Sequence, residues 1–185
     1  MTISLSPATD RGTRRHTVVP SPIGDLLLVA DGDHLVALLL APHHDQLDAV
    51  GPTQVDAVGP TPVAGDDDVL LADVRRQLEE YFAGHRTEFD VPLAPEGTEF
   101  QRSVWAGLLT IPYGETLSYG ELADRIGRPN AQRAVGLANG RNPISVIVPC
   151  HRVIGADGSL TGYGGGLDRK QHLLALEQGA SPLPL

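Results

Sequence analysis

The sequence of 185 residues contains a single cysteine, Cys150, and this scarcity excludes several kinds of protein. One cysteine permits neither an internal disulfide framework nor a multi-cysteine zinc site. It also leaves no resolving thiol for a dithiol redox cycle. Cys150 is therefore either a small buried side chain or a lone nucleophile, and its neighbours in the sequence have to distinguish the two.

Long hydrophobic runs are missing as well. No apolar stretch approaches the roughly 20 residues of a membrane-spanning helix, and no secretory signal is visible among the first residues. We therefore expect a cytoplasmic protein without a membrane partner, in which residues 1–15 form a flexible leader. The sequence indicates neither a metal site nor a cofactor site.

Acidic side chains are scarce in one part of the chain only. The net charge is −9, but residues 1–96 hold 6 basic and 16 acidic side chains, whereas the remainder holds 8 and 7. Residues 125–156 contain five arginines and no acid. Because salt limits the reach of distant acids to about 10 Å, this stretch can still meet a polyanion. The alternative is that the arginines lie on an ordinary solvated face.

The first half of the chain predicts a small α/β domain over residues 16–92. Alternating or β-branched runs predict strands at residues 16–19, 25–30 and 34–40, and Asp31-Gly32-Asp33 predicts a hairpin. Residues 43–68 are rich in Pro, Gly and Asp and predict a loop. Helical spacing of apolar residues follows over 69–82 and stops at Gly84, and residues 87–93 predict one more strand.

The second half, residues 97–185, predicts a mostly helical domain. Thr98 with Gln101 and Ser118 with Glu121 fit the capping-box pattern at two helix starts. Asn130 is the expected cap of a third helix over residues 131–139. Because a tight turn joins the helix over 118–126 to the third one, the pair predicts a helix-turn-helix. Asp168 is expected to open a last helix that ends at Gly179.

The third helix has small residues around a single charge. Ala131, Ala134 and Gly136 surround Arg133, whereas a major-groove reader would carry long polar side chains. Small residues let a backbone approach another surface closely, and one arginine can act as a wedge in a minor groove. The alternative is a helix packed tightly on its neighbour with Arg133 merely exposed.

Residues 144–148 are apolar and mostly β-branched, so they predict a strand that leads to Pro149 and Cys150. His151 and Arg152 follow directly. Because neighbouring positive charge lowers the pKa of a thiol, this order of residues indicates a reactive thiolate. A buried, inert Cys150 is the alternative that these residues alone leave open.

Five blocks in this order resemble the O6-alkylguanine-DNA alkyltransferase family. They cover about residues 98–179 and comprise Ser118-Tyr119-Gly120, Arg133-Ala134-Val135-Gly136, Asn142-Pro143, Pro149-Cys150-His151-Arg152 and Gly162-Tyr163-Gly164-Gly165-Gly166. The resemblance implies an α+β protein of two domains. The first is a small ribonuclease H-like α/β domain, and the second is mostly helical with a winged helix-turn-helix.

The resemblance implies DNA repair by direct damage reversal. Such a protein binds double-stranded DNA through the minor groove, flips out O6-alkylguanine or O4-alkylthymine, and moves the alkyl group irreversibly to its own cysteine. It is expected to be a monomer, and whether it cooperates on DNA stays open. A thioether cannot be removed by anything in this chain, so each molecule should act once.

The resemblance also implies roles for single residues. Cys150 is the expected acceptor, His151 is the base that polarises it through a water, and Glu177 is the partner of the imidazole. Tyr119 is the expected proton donor to the guanine, and Asn142 ties the recognition helix to the active-site turn. The expected DNA contacts are Ala131, Arg133 as the inserted finger, Ala134 and Gly136, and the expected base contacts are Val153, Tyr163 and Gly164.

Two other functions remain open at this point. A helix-turn-helix regulator could recognise alkylated DNA without chemistry, but Cys150 beside His151 argues against it. A thiol hydrolase or redox enzyme would use the same pair of residues, but it would turn over, whereas an alkyl acceptor stalls after one equivalent.

Overall fold

The computed structural model describes residues 5–6, 14–40 and 68–180. By contacts between Cα atoms the chain divides into two units. Unit 1 comprises Met1–Glu96 and Pro143–Ser145, and unit 2 comprises Gly97–Asn142 and Val146–Leu185. The predicted loop over residues 43–68 lies outside the described residues except for Asp68. Most of the predicted leader also lies outside them, and Arg15 at its end belongs to the first strand.

Unit 1 contains a three-stranded antiparallel sheet in the order β1-β2-β3. Its strands are β1 (Arg15–Val19), β2 (Leu26–Asp31) and β3 (His34–Leu40), within one residue of the predicted strands. Asp31 pairs with His34 across the two-residue loop of the predicted hairpin, and Gly32 supplies its positive φ of 55°.

A helix packs on this sheet with one apolar face. α1 (Val69–Phe82) has the predicted bounds and buries Leu71, Val74, Leu78 and Tyr81. Asp68 caps its start by accepting from the backbone N–H of Leu71 at 3.0 Å. Gly84 takes a φ of +74° just after its end, which only glycine adopts without strain.

The strand predicted over residues 87–93 is wrong. Leu93 alone forms isolated bridges, with Leu5 and with Leu35. The Gln77 amide on α1 donates to the carbonyl of Asp90 at 2.9 Å and accepts from its N–H at 2.8 Å. A side chain thus satisfies the backbone groups of Asp90 that a neighbouring strand would otherwise pair, so no ladder forms at this residue.

Unit 2 holds four helices and a two-stranded parallel sheet among its described residues. In chain order they are α2 (Glu99–Leu108), β4 (Leu117–Ser118), α3 (Tyr119–Arg125), α4 (Gln132–Gly140), β5 (Val153–Ile154) and α5 (Leu167–Glu177). Both predicted capping boxes are present, at Thr98 and at Ser118. α3 and α4 pack on each other and on α2, and they form the predicted helix-turn-helix.

Two helix starts differ from the prediction. Asn130 has a φ of +66° and belongs to the turn, so Ala131 is the N-cap of α4 and no side chain caps it. α5 starts one residue before Asp168, with Gly166 as its N-cap. In both cases a residue with positive φ ends the preceding turn, and that geometry decides where the helix starts.

The strand predicted over residues 144–148 is also wrong, because the segment is a turn. Ile144 forms only an isolated bridge with Leu38, and Val146 has a φ of +69°. A β-branched residue in this conformation costs on the order of 1–3 kcal/mol. The carbonyl of Val148 accepts from the Asn142 side chain at 2.7 Å and from the N–H of Cys150 at 2.8 Å. This bonding bends the chain toward the cysteine instead of extending it.

Among the described residues, no helix combines the length and the apolar character that crossing a bilayer requires.

Candidate active site around Cys150

Cys150 begins a single 3-10 turn, Cys150–Arg152, which directly precedes β5. Pro149 is its N-cap, and the N–H of Arg152 donates to the Pro149 carbonyl at 3.1 Å. The thiol is free and 4% exposed, so any reaction partner has to enter a largely enclosed site. All three residues of the turn are buried, which places His151 and Arg152 inside unit 2 with the thiol.

Glu177, near the end of α5, joins both of these side chains. Its Oε1 lies 2.8 Å from His151 Nε2, and Arg152 binds both carboxylate oxygens at 2.8 and 2.9 Å. Arg152 also donates to the carbonyl of Ile111 at 2.6 Å. The carboxylate accepts further from the N–H of Gly114 at 3.1 Å. The guanidinium that was expected to act on the thiol is therefore bound to Glu177 instead.

These contacts fix the protonation of the imidazole. Burial alone would raise the pKa of Glu177, but the hydrogen bonds from His151 and Arg152 and the charge of Arg152 outweigh it and lower that pKa strongly. Burial lowers the pKa of His151, although Glu177 opposes this. A neutral imidazole beside a carboxylate donates through Nε2, which leaves the lone pair on Nδ1. His151 Nδ1 is buried and has no hydrogen-bond partner among the described residues.

The thiol itself is not activated at rest. Burial raises the pKa of Cys150, and the Asn142 side chain and the charge of Lys170 only partly oppose it. The expectation that the neighbouring charge of Arg152 lowers the pKa of Cys150 is therefore wrong. A neutral thiol next in the chain to an imidazole with a free lone pair can instead lose its proton to that base as it reacts.

Two asparagines at the end of α4 reach the active-site turn. Asn142 donates to the carbonyl of Val148 at 2.7 Å, and Asn139 Nδ2 lies 3.4 Å from the carbonyl of Cys150. Both side chains are buried. Asn139 was not among the residues predicted from the sequence. Its type, a second asparagine three residues before Asn142, is the signal that would have identified it.

Tyr119, the first residue of α3, and the glycine-rich segment before α5 meet at one carbonyl. The Tyr119 hydroxyl donates to Thr161 O at 3.2 Å, and burial raises the pKa of this tyrosine. A side chain at Gly162 would begin 3.2 Å from that hydroxyl oxygen. The Tyr163 hydroxyl is buried and has no hydrogen-bond partner among the described residues, and burial raises its pKa well above the ordinary value. Gly164 is exposed.

Lys170 on α5 is a further buried group that was not predicted from the sequence. Its Nζ donates to Val153 O at 2.5 Å and to Thr161 O at 2.8 Å. It lies seven residues before Glu177, hence on the same face of α5, together with the buried Leu173 and Leu174. Two charged residues on the apolar face of a helix are the signal that could have found it.

The outer face of α4 is the expected DNA contact. Arg133 and Ala134 are exposed, and Ala131 is half-buried. A Cβ at Gly136 would lie 3.7 Å from the Tyr119 ring, an ordinary van der Waals distance, so this side of α4 faces that tyrosine.

The arginines of residues 125–156 divide into three kinds. Arg128, Arg133 and Arg141 are exposed, and none of them forms an ion pair with a described carboxylate. Arg125 donates to the carbonyl and hydroxyl of Thr110 at 3.2 and 3.0 Å. Arg152 is buried on Glu177 and does not belong to a surface stripe.

Known proteins match this chain along nearly its whole length. Residues 15–95 match the family model of the 6-O-methylguanine DNA methyltransferase, ribonuclease-like domain, and residues 99–179 match that of its DNA binding domain. A methylated-DNA--protein-cysteine methyltransferase of Methanosarcina acetivorans is 51% identical over 162 residues, which is 88% of this chain and 97% of that protein. One from Mycolicibacterium paratuberculosis is 67% identical over 115 residues, 62% of this chain and 70% of that protein.

A solved structure is similar as well. The crystal structure of Mycobacterium tuberculosis OGT in complex with DNA aligns with a TM-score of 0.79 and 52% identity, covering 91% of this chain and 95% of that one. Together with the family matches it confirms the predicted α+β fold class of two domains, ribonuclease-like and DNA-binding. The chain therefore belongs to the 6-O-methylguanine DNA methyltransferase family.

Proposed function

We propose that this protein repairs DNA by direct reversal, accepting the alkyl group of O6-alkylguanine in double-stranded DNA on Cys150. The family and its DNA-bound relative support the class of reaction. The observation that carries the assignment to this residue is the arrangement around His151. Its Nε2 is held by Glu177, while its Nδ1 is buried without a partner among the described residues, next in sequence to the only cysteine.

The reaction requires a proton to leave the thiol before or during attack. His151 Nδ1 takes it through a bridging water, and Glu177 keeps the resulting imidazolium stable. The sulfur attacks the alkyl carbon, an S–C bond forms and the C–O6 bond breaks with its electrons staying on the guanine. The guanine then takes the hydroxyl proton of Tyr119. Because burial raises the pKa of Tyr119, its hydroxyl is protonated and ready to donate at neutral pH.

The helix-turn-helix recognises the DNA. α4 lies against the minor groove with Ala131, Ala134 and Gly136, whose small size permits a close approach, and Arg133 enters the stack that the flipped base leaves. The Val153 carbonyl and the loop around Tyr163 and Gly164 hold the extruded base. Asn142 keeps the turn before Cys150 attached to the end of α4. Transfer from O4-alkylthymine follows the same chemistry.

One titration tests this proposal. Incubation with a duplex that carries one O6-methylguanine should add the mass of one methyl group to the protein, located on the peptide of Cys150, with one equivalent consumed. Cys150→Ser should bind the same duplex and gain no mass. Unmodified wild-type protein, or a Cys150→Ser variant that repairs normally, would contradict the assignment.

The same experiment separates the alternatives. A regulator that only binds alkylated DNA would leave the lesion and the protein mass unchanged, whereas a thiol hydrolase would continue beyond one equivalent. Action as a monomer, in the cytoplasm and without a cofactor, stays a prediction.

A further inference from the structure

Lys170 is a buried cation that the proposed mechanism does not yet use. None of its side chain is exposed, and no described carboxylate forms an ion pair with it. Burying an ammonium group costs several kcal/mol unless other groups compensate for it. A methionine would fill a similar volume without that cost. A charge kept at such a place points to a role in function.

Its two hydrogen bonds lead to the expected base site. Nζ donates at 2.5 Å to the carbonyl of Val153 on β5 and at 2.8 Å to the carbonyl of Thr161. Thr161 O also accepts from the Tyr119 hydroxyl. When that hydroxyl turns to the guanine, Lys170 still donates to Thr161 O, so the carbonyl keeps a protein partner and its position.

We propose that Lys170 is a positioning residue for the alkyl transfer: it fixes the carbonyls of Val153 and Thr161 at the base site and supplies the buried positive charge that the anionic stages need. The inference rests on the proposed function. Two anions form transiently in that scheme, the Cys150 thiolate before attack and the Tyr119 phenolate after its proton has moved to guanine. Solvent then restores the tyrosine proton, and His151 returns its proton to solvent.

Lys170 supplies the positive charge near the thiol, because the other described groups around the thiol are neutral or already paired. Tyr119 and Tyr163 are both neutral at pH 7, because burial raises the pKa of each and a charge on Cys150 would raise it further. The charge of Arg152 is bound to Glu177. Burial raises the pKa of the Cys150 thiol and lowers that of Lys170, and the attraction between ammonium and thiolate opposes both of these shifts.

Lys170→Met tests the proposal, with Gln171→Met, an exposed neighbour, as the matched control. Three quantities are measured: the single-turnover rate of methyl transfer at saturating duplex, the dissociation constant for that duplex, and the pH profile of Cys150 alkylation by iodoacetamide. Loss of a nearby opposite charge should slow transfer at pH 7 by about tenfold or more and move the iodoacetamide profile to higher pH. DNA affinity should change little, because Lys170 touches no DNA in this scheme.

Lys170→Arg separates charge from packing. It keeps the positive charge, so its iodoacetamide profile should return toward that of the wild type even if transfer stays slow. If Lys170→Met does not fold, the same three quantities are measured for Lys170→Gln and interpreted in the same way. A neutral variant with an unchanged rate and an unchanged pH profile would overturn the proposal.

The outcome also distinguishes this inference from the proposed function. A wild-type protein that gains no methyl group overturns the function itself. A wild-type protein that reacts normally, beside a neutral Lys170 variant that reacts equally well, overturns only the role of Lys170.

Discussion

Glu177 receives hydrogen bonds from an imidazole, a guanidinium and a backbone N–H, and its carboxylate is almost fully buried. A buried carboxylate favours folding only while every partner is in place, because a buried charge without its counter-charge destabilises the folded state. At the scale of residues, the site is thus one coupled unit in which His151 and Arg152 share a single carboxylate. The shared carboxylate, rather than the arginine, orients the base.

The coupling of Glu177 to His151 and Arg152 should make the stability of the protein depend on pH in acid. Because the pKa of Glu177 is lower in the folded state than in the unfolded chain, its contribution to stability is complete above about pH 4.3 and is lost as the pH falls below it. Glu177→Gln should be less stable than the wild type by about 3–5 kcal/mol at pH 7, and this difference should shrink toward pH 3. Urea unfolding followed by the fluorescence of Trp105, which is buried in unit 2, measures both.

Glu115→Gln is the control, because Glu115 is not buried and forms no ion pair with a described residue. Its unfolding should follow the wild type at every pH. A stability difference for Glu177→Gln that stays constant from pH 7 to pH 3 would contradict the linkage.

At the scale of elements, α2 and α3 approach each other through a glycine. A Cβ at Gly107 would lie 2.6 Å from Ile126 Cγ2, closer than packed atoms come, and 3.0 Å from Leu122 Cδ1, tighter than most such contacts. The start of α3 carries Tyr119, so this contact sets where the expected proton donor lies. The capping pattern at Ser118 predicted the start of α3, but nothing local in the sequence indicated how closely its side packs.

Gly107→Ala should therefore destabilise the protein by about 1–3 kcal/mol, although alanine usually stabilises a helix interior relative to glycine. Gly140→Ala is the matched variant, because Gly140 ends α4 and a Cβ there meets nothing within 4 Å. It should be neutral or slightly stabilising. Thermal unfolding of the two variants compares them, and equal effects would show that packing at Gly107 is looser than the structure indicates.

At the scale of the whole molecule, charge is distributed unevenly along the chain. Residues 1–96 carry a net −10 and the remainder +1, and the exposed Arg128, Arg133 and Arg141 lack carboxylate partners among the described residues. An acidic protein can therefore still bind DNA, since screening restricts the effect of remote acids. Affinity that comes from a few arginines on phosphates depends strongly on salt.

Arg128→Ala and Arg141→Ala should each weaken duplex binding regardless of base sequence and reduce the slope of log affinity against log salt by about one. Arg76→Ala is the control, because Arg76 is exposed but already paired with Asp73 and Glu80 in unit 1. Fluorescence anisotropy across a salt series gives the slopes. If all three variants had the same slope, Arg128 and Arg141 would not contact the DNA.

The sequence by itself determined most of the elements, the class of fold and the expected acceptor. Periodicity and capping residues are local properties, so β1 to β3, α1 and the starts of α2 and α3 could be predicted, as could the helix-turn-helix. Five short motifs in a fixed order were enough to indicate the family, because each motif is a run of neighbouring residues that can be recognised without knowing how the chain folds.

The tertiary structure decided what depends on residues far apart in the chain. Arg152 lies 25 residues from Glu177, and Lys170 lies 17 residues from Val153, so no local pattern could reveal that these groups are bonded. Tertiary bonding also turned residues 144–148 from a predicted strand into a bend with Val146 at positive φ. The protonation of the thiol followed burial rather than its charged neighbour, because desolvation depends on the entire fold around a group.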